Sequence, residues 1–98
     1  MKIKKEFEVH FYRLSRFMGE DLYKEVTSAQ FWELDKFEPA LCEWIENEVI
    51  AKVPAMDKYF RSIGLYRRDL QARLFIRLYY ATECEKIKRT KQGFYDIR

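Results

Sequence analysis

Residues 64–81 read GLYRRDLQARLFIRLYYA, and the pattern of this stretch decides how the rest of the chain is organised. Gly64 is a natural stop for a preceding helix, and neither Gly nor Pro recurs before Gly93. One set of apolar residues follows helical spacing and predicts a core stripe: Leu70, Leu74, Leu78 and Ala81. Other apolar residues cover further sides of the same rod: Phe75, Ile76, Tyr79 and Tyr80. Because a helix that is apolar nearly all round packs on several sides, we predict a central helix over most of 66–88.

The remaining sequence predicts a mainly α-helical single domain, 1–98, with about five helices around that central helix. Pro39 suits the first turn of a helix, and Thr27 or Ser28 suits the N-cap of a helix that begins at Ala29. We expect Trp44 and Ile45 to join the leucine stripe in the core. Residues 3–18 fit a helix that stops at Gly19, although residues 3–12 also fit a strand paired with residues 93–98.

Composition favours a folded, soluble, cytoplasmic protein. Hydrophobic residues make up 48% of the chain, which is enough to build a core. The N-terminus has no apolar segment of the signal-peptide kind, and the longest apolar run is too short to span a membrane. Cys42 and Cys84 are too few for a disulfide framework, so we predict free thiols in a reducing compartment.

No catalytic or cofactor-binding motif is present, so the sequence predicts a protein that is not an enzyme and needs no cofactor or metal. His10 is the only histidine, and Glu6 and Glu8 beside it do not complete a metal site or a triad. The two cysteines have no Cys or His nearby in sequence.

The charge is distributed unevenly along the chain. Residues 19–57 hold three Lys and ten Asp/Glu, for a net charge of −7, whereas residues 58–98 hold eleven Lys/Arg and four Asp/Glu, for +7. This asymmetry is typical of a protein with one basic face. The alternative is that the acidic and basic helices pair with each other and cancel.

A basic face predicts a nucleic-acid partner, or a complex that contains nucleic acid. Arginine donates two hydrogen bonds to a phosphate, and a Gln side chain can reach a base edge. Lysines further along the helix supply contacts that position the protein without reading sequence. The candidate nucleic-acid-binding residues are Arg67, Arg68, Gln71, Lys88, Arg89 and Lys91.

Residues 57–68, DKYFRSIGLYRR, resemble the helix-turn-helix-type segment of PerC-type small bacterial transcriptional regulators. The matching signature is Gly64-Leu65-Tyr66-Arg67-Arg68, and Arg73 matches a later arginine of that family. The resemblance implies DNA binding and transcription regulation, with Arg67, Arg68 and Gln71 leading the contact helix.

The alternative hypothesis is an inhibitor or adaptor of the kind that phages and mobile elements direct against host complexes, anti-CRISPR proteins among them. The chain is short, aromatic-rich and highly charged, as such proteins are. Aromatic anchors within the acidic segment would then meet a host protein or nucleoprotein complex. The candidate residues for this interaction are Trp32, Phe37, Glu43 and Glu46.

Overall fold

The computed structural model describes residues 2–96, and the side chains of residues 5–89. Four α-helices run through this part of the chain: α1 (Lys2–Ser28), α2 (Glu38–Ile45), α3 (Pro54–Ser62) and α4 (Arg68–Asp96). A 3-10 helix, Phe31–Lys36, precedes α2, and a π-helical turn, Glu46–Ile50, follows it. The prediction of a mainly helical domain around a long C-terminal helix is therefore confirmed.

The strand alternative is excluded for the residues that the structure describes. Residues 3–12 lie in α1, and residues 93–96 lie in the last turn of α4. Ile97 and Arg98 fall outside the described residues.

A sharp kink at Gly19 divides α1 into two halves. Gly19 has φ 79° and ψ 171°, a conformation that is open almost only to glycine. The first half buries a stripe of apolar side chains at helical spacing: Phe7, Phe11, Leu14 and Met18. The sequence-based prediction that a helix stops at Gly19 is confirmed, since this residue redirects the chain before Val26 enters the core.

The link between α1 and α2 differs from the prediction. Thr27 Oγ1 donates a hydrogen bond to the Tyr23 carbonyl 2.8 Å away, so Thr27 belongs to the last turn of α1 and the N-cap prediction was wrong. The cap is instead Gln30, whose backbone N–H donates to Glu33 Oε2 at 2.7 Å in a capping box. Pro39 lies in the first turn of α2, as predicted.

The segments that pack along α4 run in two directions: α1 runs in the same direction as α4, and the 3-10 helix with α2 runs in the opposite direction. Going along α1, Phe11 meets Phe75 with ring centroids 5.1 Å apart, and Tyr23 then meets Glu83 further along α4. The 3-10 helix and α2 return the other way, with Asp35 near Arg77. The chain therefore passes α4 twice, and α3 closes the end where α4 begins.

The core face of α4 is not the leucine stripe that the sequence predicted. The buried residues of α4 are Gln71, Ala72, Phe75, Ile76, Tyr79 and Glu83. Leu70 is 37% exposed, and Leu74 and Leu78 are only partly buried at the edge of the core. Ring-on-ring packing with the aromatic residues of α1 selects the Phe75–Tyr79 face. Of the other two predicted core residues, Ile45 is fully buried and Trp44 is only partly so.

Candidate functional site

The turn between α3 and α4 is held by a buried glutamine. Gly64 has φ 93°, and the Leu65 N–H donates to the Phe60 carbonyl at 2.9 Å. Gln71 is fully buried, and its Nε2 donates to the Leu65 carbonyl at 2.9 Å and to Asp57 Oδ1 at 3.1 Å. These bonds occupy both N–H groups of the amide. The interpretation of Gln71 as a base-reading residue was therefore wrong, because its side chain locks the turn from inside the fold.

The predicted basic residues fall into two groups at different levels of α4. Arg67 and Arg68 are exposed at its start, where Arg67 Nη2 lies 2.7 Å from Asp69 Oδ2. Lys88 and Arg89 are exposed about 30 Å further along the helix, given a rise of about 1.5 Å per residue. The side chain of Lys91 lies outside the described residues. The structure thus does not bring these candidates into one cluster.

The candidate residues of the alternative hypothesis also lie on separate elements. Trp32 is 74% exposed on the 3-10 helix, beside Phe31, which is also exposed. Phe37 packs partly against the core, under the ammonium of Lys36. Glu43 is exposed on α2, and Glu46 is half-buried in the turn that follows. Of the two aromatic candidates, only Trp32 has the exposure of a binding anchor.

An apolar groove runs over the outer face of α4. It encloses about 420 Å³, and its lining residues are Ile63, Leu65, Leu70, Arg73, Leu74 and Arg77. Arg77 connects this groove to the aromatic tip of the 3-10 helix, because its guanidinium carbon lies 5.9 Å from the centroid of the Phe31 ring. We use the name outer strip for the groove residues taken together with Phe31 and its exposed neighbour Trp32.

Ion pairs border the outer strip, and they join α4 to the end of the 3-10 helix and the start of α2. Arg77 Nη2 lies 3.5 Å from Asp35 Oδ1 and 3.8 Å from Glu38 Oε2, and Arg73 Nε lies 3.9 Å from Glu38 Oε2. The Glu38 carboxyl is buried, and burial raises its pKa above the ordinary value although the two guanidinium groups oppose this shift. The prediction that acidic and basic helices pair with each other therefore holds for this cluster.

Two partly buried groups next to the core, Cys42 and Tyr23, keep their protons at neutral pH. Burial raises the pKa of Cys42 to about 11 and that of Tyr23 to about 12. Tyr23 donates to Glu83 Oε1 at 2.9 Å, and Ser15 and Tyr79 share a hydrogen bond of 2.6 Å. These bonds join the two halves of α1 to α4.

His10 and the cysteines are likewise accounted for by local contacts. Burial, and then the nearby charge of Arg13, lower the pKa of His10, and Arg13 Nη1 donates to His10 Nδ1 at 3.0 Å. Cys42 and Cys84 are free thiols, as predicted. Within the described part of the chain, His, Cys, Asp and Glu side chains form no group of three or more that could hold a metal ion.

Four of the groove residues were not predicted from the sequence to lie at the surface: Ile63, Leu65, Leu70 and Leu74. The signal was present in the all-round apolar character of residues 70–81. A helix that buries one face and is apolar on another leaves the second face for something outside the chain.

Comparisons of the chain with protein-family models, with curated proteins and with solved structures find no match. The resemblance of residues 57–68 to PerC-type regulators stays a prediction. None of the described helices has both the length and the apolarity needed to cross a membrane.

Proposed function

We propose that this chain is a non-enzymatic protein-binding domain of the inhibitor or adaptor class, and that it contacts its partner through the outer strip. The observation that carries the proposal is that the leucine stripe of α4 lies at the edge of the core, with Leu70 exposed and Leu74 partly exposed. Contiguous exposed apolar surface on a small domain marks an interaction site more often than scattered single residues do. Exposed Trp and Arg side chains are enriched among residues that dominate binding energy, and both occur here.

The chemistry of the outer strip suits a protein better than a nucleic acid. Leu70 and Leu74 stand in the first turns of α4, where a DNA-reading helix would need polar side chains directed at base edges.

Site-specific photo-crosslinking in the cells that make the protein tests this proposal. A photoreactive phenylalanine analogue at position 70 or 32 should give discrete adducts with another protein. The same analogue at Lys24, which is exposed on α1 and is not part of the outer strip, is the control. Equal adducts from position 24, or none from positions 70 and 32, would refute the proposal.

Nucleic-acid binding remains a second candidate, favoured by the exposure of the cations around the α3–α4 turn. Arg67 and Arg68 project from the start of α4, and Lys58 and Arg61 are exposed on α3. Arg61 and Arg67 have carboxylate partners, but exposed pairs of this kind are worth about 0–1 kcal/mol and can be exchanged for phosphate.

An electrophoretic mobility assay at low salt tests this candidate. Replacing Arg67 and Arg68 with alanine should weaken binding and reduce the salt slope of log K by about one unit per lost phosphate contact. The control removes two charges elsewhere, with Arg16→Ala and Lys24→Ala. If the unaltered protein shifts no DNA or RNA probe, nucleic-acid binding by the isolated chain is excluded.

A further inference from the structure

The two arginines at the rim of the groove have most of their hydrogen-bonding capacity unused. Arg73 is 55% exposed, and its ion pair with Glu38 spans 3.9 Å, which is beyond hydrogen-bond distance. Arg77 is 36% exposed and makes one long bond of 3.5 Å to Asp35. A guanidinium group has five N–H donors, so each of these side chains can donate hydrogen bonds to a further carboxylate.

The lining of the groove includes cations but no carboxylate. Its six residues are four apolar side chains and the two arginines. The carboxylates that pair with these arginines, Asp35 and Glu38, lie with Asp69 in an adjacent cleft and do not line the groove. A partner that enters the groove therefore contacts leucines along the middle of the groove and arginines along one edge.

We propose that the occupant of the groove is an acidic amphipathic helix from another protein; this inference rests on the protein-binding function proposed above. Apolar side chains at positions i and i+4 of that helix pack against Leu70 and Leu74. Carboxylates beside that stripe pair with Arg73 and Arg77. Binding of an amphipathic helix in a groove of this kind is a recurrent mode of peptide recognition.

A second copy of this chain does not satisfy the same surface. A two-fold pairing brings a patch against itself, and the lining of the groove includes no carboxylate that could face the arginines of the other copy. Nucleic acid would satisfy the arginines but would leave the leucines facing a polar backbone. An acidic helix satisfies both the apolar and the charged residues of the groove.

Selection from a displayed peptide library tests the charge preference. The library consists of 20-residue helical peptides with a constant leucine stripe, in which the flanking positions vary among Glu, Gln and Lys. The purified chain should enrich Glu over Lys about threefold to tenfold, as expected for one or two exposed ion pairs. The variant Arg73→Glu with Arg77→Glu should reverse this preference. The variant Arg73→Gln with Arg77→Gln, which avoids repulsion with Asp35 and Glu38, should abolish it.

Two controls separate the inference from the function on which it rests. Arg16→Glu with Arg89→Glu makes the same change in net charge outside the groove and should leave the Glu preference intact. Leu70→Glu should abolish enrichment of every peptide, while circular dichroism checks that each variant stays helical.

The outcomes are distinguishable. If enrichment needs Leu70 but shows no preference for Glu over Lys, the proposal of an acidic helix is wrong. The proposed protein-binding function then still stands. If no peptide is enriched over the Leu70→Glu variant, both proposals fail. If sedimentation shows that the chain self-associates and that Leu70→Glu makes it monomeric, the occupant is a second copy and the acidic helix is wrong.

Discussion

The face of α4 that forms the core can be tested by comparing two aliphatic truncations on the same helix, Ile76→Ala and Leu70→Ala. Ile76 is fully buried, whereas Leu70 is 37% exposed. Truncating a fully buried Ile to Ala costs about 2–5 kcal/mol, because apolar contacts are lost and a cavity remains. The Leu70 side chain keeps part of its surface in water and leaves no closed cavity, so we expect a loss of about 1 kcal/mol or less.

These free energies translate into melting temperatures that are easy to distinguish. For a domain of this size, 1 kcal/mol lowers the melting temperature by about 4–8 °C. Ile76→Ala should therefore lower it by at least about 8 °C, and Leu70→Ala by less than about 8 °C. Thermal and urea unfolding followed by circular dichroism measure both effects, and an unchanged m value would show that the unfolded states are comparable. A loss in Leu70→Ala equal to or greater than that in Ile76→Ala would refute the assignment of the core face.

Three further predictions concern the turns, the buried amide and the thiols. Gly19→Ala should cost about 1–3 kcal/mol, because a Cβ has open space at this site but the backbone conformation is unfavourable for alanine; a variant as stable as the parent would show that the kink is not needed. Gln71→Ala should cost about 1–3 kcal/mol, since it leaves the Leu65 carbonyl unpaired. The hydrogen bond from Gln71 lowers the pKa of Asp57, so this bond stabilises the fold above the ordinary Asp pKa of about 4. The stability difference between the parent and Gln71→Ala should accordingly shrink as the pH falls below about 4, the ordinary pKa of Asp, and a constant difference would contradict this account. Because Cys42 and Cys84 are free thiols, reductant should leave the melting temperature unchanged, and a large drop would show that a disulfide forms.

The candidate site could be predicted only in part from the sequence. Trp32 was predicted as an anchor for a protein partner; it is exposed, and its role stays a prediction. Gln71 was assigned to the surface because its neighbours Arg67 and Arg68 are basic, but it faces α3 and bonds to Asp57. Spacing along one helix does not reveal which other helix covers a given side.

The sequence by itself determined several of the helix boundaries, although not the link between α1 and α2. Gly19 and Gly64 adopt positive φ values, and Pro39 and Pro54 stand in the first turns of α2 and α3. These effects act through the backbone of a few neighbouring residues, so they can be deduced locally. The face of α4 that enters the core was decided only by the tertiary structure. Since α4 is apolar on several sides, its own periodicity allows more than one answer, and the aromatic rings of α1 and α3 select the face that fills the space between the helices. The same choice leaves Leu70 and Arg73 outside, and it thereby creates the surface to which we assign binding.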